Sequence, residues 1–196
     1  MAVVQILGTA PNLSETPTLS GAERWCGNHP RSYRIKHPPA IQTYTRWFNV
    51  HTINHIKQRY PSGYAWYTKQ TKPIYLQESQ PDIPSSLAFP RHKLQQHFSI
   101  DGTPFRYFSC SVAWYIAFAI YEGFDCIELW GFELSLSHKY AYERPCFFYW
   151  VNRARSLGID MFIPSNVIIS EAGDPATYTG HLYGYEPHND YYAKSF

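Results

Sequence analysis

Short apolar runs alternate with segments of helical spacing along this chain, and the runs stop at small or polar residues. Three apolar runs predict buried strands: Val3–Leu7, Cys126–Trp130 and residues 160–163. Two segments with apolar residues at helical spacing, each followed closely by a glycine, predict helices: residues 109–121 and residues 144–157. Alternation of this kind is typical of an α/β fold.

The first half of the chain has a less regular pattern. Residues 41–48 alternate between apolar and polar types, which predicts a strand. Residues 52–60 have helical spacing, and Pro61-Ser62-Gly63 should end that helix. The remaining expectations are a helix start at Ser14-Glu15, strands at residues 64–67 and 73–76, and irregular stretches at residues 20–40 and 79–104.

These elements together predict one Rossmann-like domain over residues 1–196, with a mostly parallel sheet flanked by helices. No internal repeat is apparent. In such a sheet, ligands bind beyond the carboxyl ends of the strands. The residues that follow the strands are therefore the first candidates for a functional site.

The amino-acid composition and net charge limit the kinds of ligand and surface that this protein is expected to bind. The formal net charge is +2, so neither nucleic acid as the main ligand nor an anionic membrane is expected. With 44% hydrophobic and 16% charged residues, the chain can bury a core. Aromatic residues make up 18%, with tyrosine the most frequent, and tyrosine suits half-buried surfaces and ligand clefts.

Cysteine and histidine usage bears on compartment and metal binding. Four cysteines occur without a C-x-x-C pair, which favours buried free thiols. No signal peptide is visible, and the longest apolar run, residues 112–121, is shorter than the roughly 20 residues that span a bilayer. The nine histidines lack metal-ligand spacing. We expect a cytoplasmic protein without a bound metal; a homo-oligomer is compatible with the sequence.

The exit of the first strand gives the clearest candidate for ligand binding. A glycine there lets backbone approach a ligand, and a following helix start can present N–H groups to an anion. The candidate nucleotide-binding residues of this loop are Gly8, Thr9, Ala10, Pro11 and Asn12. The loop is neither G-x-G-x-x-G nor a Walker A motif. A purely structural strand-to-helix turn is the alternative.

Two further segments supply polar groups at the same predicted edge. Asn49, with His51, follows the second predicted strand and could read a base or ribose, or simply cap a helix. Ser109 and Ser111 open the apolar helix, where hydroxyls and N–H groups can bind phosphate. A plain Ser N-cap would account for one of these two serines.

The segment after Gly131 carries the candidate catalytic groups. Glu133 could act as a base at the edge of the cleft. Tyr140, Tyr142 and Arg144 could neutralise a departing phosphate. The alternative is a solvated loop with a surface ion pair.

Several segments resemble known families. Residues 6–13, 46–49, 108–111, 127–133 and 163–166 are similar to motifs of the bacterial sialyltransferases of glycosyltransferase family 42 and of the 6-hydroxymethylpterin diphosphokinase group. Residues 140–145 and 182–186 resemble uncharacterised bacteriophage proteins. The family resemblance implies a nucleotide site that also includes Gly131 and Ser165, and a catalytic-base histidine for which His138 or His181 stands at the rough position.

The leading hypothesis is a nucleotide-sugar-dependent glycosyltransferase of phage type, working in the bacterial host cytoplasm. It would use the nucleotide sugar as substrate and hold no tightly bound cofactor. One alternative is a pyrophosphokinase, which would need Mg²⁺ bound with its substrate. The other is a non-enzymatic protein that binds or sequesters a nucleotide in phage counter-defence.

Overall fold

The computed structural model describes residues 1–36, 38–132 and 143–164. Its centre is one sheet of seven strands, and every pair of neighbouring strands is parallel. The strands are β1 Val3–Leu7, β2 Glu23–Gly27, β3 Arg46–Asn49, β4 Ile74–Leu76, β5 Ser86–Ala88, β6 Cys126–Trp130 and β7 Asp160–Phe162. The predicted α/β class with a parallel sheet is therefore confirmed.

Helices flank the sheet. They are α1 Pro30–Lys36, α2 Pro38–Thr43, α3 Ile53–Arg59, α4 Pro61–Tyr67, α5 Arg91–His97, α6 Ser111–Glu122 and α7 Glu143–Ser156, with a 3₁₀ helix at Pro11–Glu15. None of the helices in the described part of the chain has the length and apolar character needed to cross a membrane. The single domain over residues 1–196 stays a prediction.

The strand order β5-β4-β3-β2-β1-β6-β7 contains a reversal of direction. From β1 the chain adds strands one after another out to β5, and it then returns past β1 to place β6 and β7 on the other side. Ile6 of β1 pairs with Trp25 of β2 and with Leu129 of β6. In an open parallel sheet, the crevice at such a reversal is where ligands bind.

The sheet is buried on both faces, which explains why its central strands are continuous apolar runs. Val4 and Ile6 pack on the side of α6 and α7, whereas Leu7 packs on the side of α1, α2 and α4. Large aromatic side chains fill both layers, and Trp25 and Trp47 are fully buried. The high aromatic content of the sequence therefore serves the core as well as any cleft.

The strongest apolar patterns predicted their elements correctly. Strands β1, β4 and β6 and helices α3, α6 and α7 lie within a few residues of the expected bounds. Gly123 ends α6 in the left-handed conformation, at a φ of 79°. The Thr52 hydroxyl accepts a hydrogen bond from the His55 N–H and caps α3.

Residues 20–48 differ from the expectation. The stretch 20–40, expected to be loop, holds β2, α1 and the start of α2, and the strand expected over 41–48 begins only at Arg46. Proline begins both helices, at Pro30 and Pro38, where its missing N–H costs no intrahelical bond. The charged start of β2 is stabilised by an ion pair between Glu23 and Arg46, which the apolar pattern could not show.

Three other expectations are wrong. Residues 64–67 belong to α4, which starts at Pro61 and buries Trp66. The stretch 79–104 contains β5 and α5 in addition to irregular chain. A helix was expected to start at Ser14-Glu15, but these residues are the end of the 3₁₀ helix, which starts at Pro11. A proline is the first residue of α4 and of the 3₁₀ helix, and Pro90 directly precedes α5, so these prolines begin helices and do not interrupt them.

Candidate functional site

A cavity of about 760 Å³ lies at the carboxyl ends of β1, β2, β3 and β6, beside the reversal in strand order. Its size is within the range of small-molecule sites. Its walls come from the loops after these strands and from the start of α6. The lining residues are Leu7, Gly8, Thr9, Ala10, Pro11, Gly27, Asn28, Tyr33, Lys36, Val50, His51, Phe108, Ser109, Cys110, Ser111, Val112, Trp114, Tyr115, Gly131, Phe132 and Glu143.

The loops after β1 and β6 are joined by backbone hydrogen bonds at the cavity wall. The Gly8 N–H donates to the Trp130 carbonyl at 2.7 Å, and the Ala10 N–H donates to the Gly131 carbonyl at 2.8 Å. A Cβ atom on Gly8 would lie 2.1 Å from the Gly131 carbonyl oxygen. Gly131 itself has a φ of +74°. This close approach requires glycine at position 8, and the turn favours glycine at position 131.

The start of α6 gives the cavity a wall suited to an anion. Ser109, Cys110 and Ser111 all line the cavity, and the first turn of α6 contains no acidic residue. The N-terminal end of a helix carries partial positive charge and unpaired N–H groups. Lys36, at the end of α1, lines the same cavity. The two features together favour a negatively charged group there.

Asn49 does not line the cavity. Its side chain is buried, its amide donates to the Tyr67 hydroxyl at 3.0 Å, and its oxygen accepts from the His51 N–H at 3.1 Å. The next two residues, Val50 and His51, do line the cavity. Burial, and then the neighbouring His55, lowers the pKa of His51 below its usual value, so the ring is mainly neutral at pH 7.

Two buried tyrosines form the floor of the cavity, and the sequence patterns did not single them out. The Tyr33 hydroxyl donates to the Leu7 carbonyl at 2.5 Å and accepts from the Gly27 N–H at 3.3 Å. The Tyr115 hydroxyl donates to the Phe48 carbonyl at 3.5 Å. Burial raises the pKa of both phenols. These tyrosines fix the carboxyl ends of β1, β2 and β3 relative to one another.

Asn28 is a further lining residue that the patterns missed. It lies directly after β2 with a φ of 63°, which is uncommon outside glycine. Its carbonyl accepts hydrogen bonds from Trp47 Nε1 at 3.1 Å and from the Tyr67 hydroxyl at 2.9 Å. Because β2 was not predicted, the pair Gly27-Asn28 could not be recognised as a strand end. Strained backbone at the wall of a cavity is common at functional sites.

Aromatic rings form another part of the wall. Phe108 and Trp114 stack with their centroids 3.6 Å apart and their planes within 6°. Phe132, directly after Gly131, also lines the cavity. Flat apolar rings of this kind suit a planar ligand group, such as a nucleobase.

The structure brings most of the predicted binding residues together and leaves others apart. Gly8, Thr9, Ala10, Pro11, Ser109, Ser111 and Gly131 all line the cavity. Asn12 is buried outside the lining, in the 3₁₀ helix, and its Nδ2 has no hydrogen-bond partner among the residues that the structure describes. Arg144 is the second residue of α7 and does not line the cavity, whereas Glu143, which starts the helix, does.

The other predicted site residues, Glu133, His138, Tyr140, Tyr142 and Ser165, lie outside the described residues, and so does His181. Among the residues that the structure does describe, no group of three or more His, Cys, Asp or Glu side chains is placed to hold a metal ion. The described part of the cavity therefore has a wall suited to an anion, several aromatic rings, and His51, whose imidazole is mainly uncharged at pH 7.

The fold and cavity define a Rossmann-like α/β protein with a site at the carboxyl edge of its sheet. Comparison of the sequence with known families and with curated proteins finds no match. Comparison of the structure finds a similarity to the sialyltransferase CstII from Campylobacter jejuni, in complex with a substrate analogue, cytidine-5'-monophosphate. The TM-score is 0.49 at 12% identity, covering 87% of this chain and 83% of that chain.

A similarity with a TM-score below 0.5 supports no inference about function. No family model matches the short segments that resemble family 42 enzymes. The resemblance to bacteriophage proteins stays a prediction. The functional proposal therefore depends on the geometry of the cavity.

Proposed function

We propose that the cavity binds a nucleotide and that the protein is a nucleotide-sugar-dependent glycosyltransferase of bacteriophage type. The observation that carries the proposal is the convergence of the β1 loop, the start of α6 and Lys36 on one cavity at the strand-order reversal. The nucleotide sugar would be a substrate, with no tightly bound cofactor.

The binding step assigns a role to each wall of the cavity. The phosphate would bind at Ser109, Ser111 and the first N–H groups of α6, with Lys36 as the counter-charge. The backbone of the β1 loop would contact the nucleoside, because Gly8 leaves no side chain between backbone and cavity. Phe132 would pack against a flat ring of the ligand.

The transfer step needs a base and groups that stabilise the leaving phosphate. Glu143 reaches the cavity, so the start of α7 lies at the site. The position of Glu143 supports catalytic roles for residues that precede and follow it in the sequence. We propose Glu133 or His138 as the base, with Tyr140, Tyr142 and Arg144 acting on the leaving phosphate.

The binding half can be tested by calorimetry with nucleoside mono- and diphosphates and their sugar esters. Lys36→Met and Ser111→Ala should each weaken binding of the best ligand by about 10- to 100-fold, because each loses a hydrogen bond to a charged phosphate worth about 1.5–3 kcal/mol. Lys69→Met, an exposed lysine outside the cavity lining, is the matched control and should bind as the wild type does. Unchanged affinity in both cavity variants would place the nucleotide elsewhere.

The transfer half is tested by mass spectrometry of the protein incubated with each nucleotide sugar, with and without EDTA. Release of the free nucleotide, unaffected by EDTA, is the expected result. Tight binding with the ligand returned unchanged would instead identify a sequestering protein. Pyrophosphoryl transfer that EDTA abolishes would identify a kinase.

A further inference from the structure

A run of aromatic rings leads from the cavity wall to the protein surface. At its inner end, Trp114 and Phe108 line the cavity and stack on each other. Phe105 continues the run, because its ring centroid lies 5.6 Å from that of Phe108 and 5.3 Å from that of Tyr149 in α7. Tyr107 completes it, with its ring centroid 5.7 Å from that of Tyr149. We call these five residues the aromatic track.

The outer end of the aromatic track is exposed to solvent. Tyr107 and Tyr149 are 42% and 37% exposed. Apolar groups that adjoin one another at a surface mark interaction sites more often than single exposed residues do. The Tyr107 backbone is held from below, because the fully buried Trp150 donates a hydrogen bond from Nε1 to the Tyr107 carbonyl at 3.0 Å. A ligand that stacks on these rings would therefore lose little free energy in ordering them.

The segments that carry the aromatic track contain basic residues and no acidic ones. Residues 102–121 and 144–159 include four arginines and no Asp or Glu. Arg106 lies between two of the ring-bearing residues, and Arg153 lies one helical turn after Tyr149 on α7; both arginines are exposed. Neither forms an ion pair among the residues that the structure describes. The net charge of the whole chain, +2, does not reveal this local excess of positive charge.

We propose that the aromatic track, together with Arg106 and Arg153, binds single-stranded nucleic acid. Exposed aromatic rings stack on any base, since every base has a flat face, and guanidinium groups bind the phosphates that link the bases. A double helix presents no free base faces to such rings. A neutral saccharide would stack on the rings but leave both arginines without a counter-charge, so the positive charge favours the anionic strand.

This inference goes beyond the proposed transferase reaction and does not depend on it. The outer part of the aromatic track, Tyr107 and Tyr149, lies outside the cavity lining, and so do the two arginines. Failure of a mononucleotide to bind in the cavity would therefore contradict the proposed function alone. Failure of a single strand to bind would contradict the present proposal alone.

The direct test is fluorescence anisotropy of a labelled oligothymidylate of about 12 nucleotides, a length typical of single-strand sites. The full chain should bind it at micromolar concentration in low salt. An abasic chain of the same length keeps the phosphates and lacks the bases. It should bind at least about 10-fold more weakly, because each stacked base contributes about 5- to 150-fold in affinity. Absence of binding to oligothymidylate, or equal binding of the abasic chain, would overturn the proposal.

Substitution of the exposed rings tests their part in stacking. Tyr149→Ala and Tyr107→Ala should each weaken oligothymidylate binding by about 5- to 150-fold and leave binding of the abasic chain unchanged. Tyr121→Ala is the matched control, because Tyr121 is 40% exposed near the end of α6 and is not part of the aromatic track. An equal loss in the control, or no loss in either track variant, would contradict the proposal. If one track variant does not fold, the other decides, since the two tyrosines lie on separate segments.

Salt dependence tests the phosphate contacts. For a single strand, the slope of log K against log salt concentration is about −0.7 for each phosphate contact, so Arg106→Gln and Arg153→Gln should each make the slope about 0.7 less steep. Lys69→Gln should leave it unchanged, because Lys69 follows α4, which packs on the opposite face of the sheet. An unchanged slope in both arginine variants would refute the assignment. Binding of maltohexaose at Tyr149, without binding of oligothymidylate, would identify a surface for neutral glycans instead.

Discussion

Replacing Gly8 by alanine should disrupt the junction between the loops after β1 and β6. The new methyl carbon would lie 2.1 Å from the Gly131 carbonyl oxygen and 2.7 Å from its carbon, and contacts of this kind below 3.0 Å essentially never occur. The obstacle is backbone, so no side chain can turn away. One loop has to move, and the movement strains the hydrogen bonds from Gly8 to Trp130 and from Ala10 to Gly131.

The expected loss of unfolding free energy is about 3 kcal/mol. Overpacking costs about 1–3 kcal/mol, and one backbone hydrogen bond contributes about 1 kcal/mol. For a chain of this length, about 3 kcal/mol corresponds to a fall in Tm of roughly 6–12 °C. Affinity for the proposed nucleotide ligand should fall as well, because Gly8 and Gly131 both line the cavity.

Urea unfolding followed by circular dichroism measures the first effect. Gly63→Ala is the matched control: Gly63 has ordinary backbone in α4, and its added methyl would meet the side chains of Pro30 and His29 at 3.3–3.5 Å. That variant should stay within about 1 kcal/mol of the wild type. If Gly8→Ala unfolds within about 0.5 kcal/mol of the wild type, the close approach of the two loops is wrong.

Asn49→Ala should lower the unfolding free energy by about 1–3 kcal/mol in urea, because it leaves the buried Tyr67 hydroxyl without a donor; a variant as stable as the wild type would contradict this role. Glu23→Gln should cost about 1–2 kcal/mol in the same assay, since its half-buried pair with Arg46 loses one charge, and insensitivity to the change would show that the pair is only a surface contact. In the folded state the pKa of Cys146 is lowered from the usual 9.0 to about 6. The ionised Cys146 sulfur therefore contributes to the free energy of unfolding, and this contribution increases between pH 6 and pH 9 and is lost as the pH falls through 6. The difference in unfolding free energy between wild type and Cys146→Ser, measured in reducing buffer, should therefore grow over that range, and a constant difference would refute it.

The parts of the fold that the sequence predicted are those whose burial is uniform. β1 and β6 are covered on both faces, and α6 is apolar almost all round because it packs between the sheet and other helices. Such elements appear directly as apolar runs. β2 has no such signal at its start, because the charged Glu23 is stabilised by Arg46 of β3, a partner that is distant in sequence.

The structure brings predicted site residues together where their position follows from a parallel sheet. Gly8 and Gly131 follow strands, and Ser109 and Ser111 precede a helix, so the topology alone brings them to one edge. Asn49 shows where this reasoning stops. It is the last residue of its strand, and the sequence does not reveal that its side chain points to Tyr67 instead of the cavity.

Tyrosine hydroxyls in the cavity floor are easily mistaken for catalytic acids. Tyr33 already donates its proton to the Leu7 carbonyl, and Tyr115 donates its proton to the Phe48 carbonyl. Burial raises the pKa of both, so neither phenol ionises near neutral pH. A substrate would have to break one of these bonds, and with it the alignment of two strand ends, to receive a proton. Neither tyrosine is therefore suited to transfer a proton near neutral pH, whereas His51, whose pKa is lowered by burial and by His55, offers a mainly neutral imidazole at the same cavity.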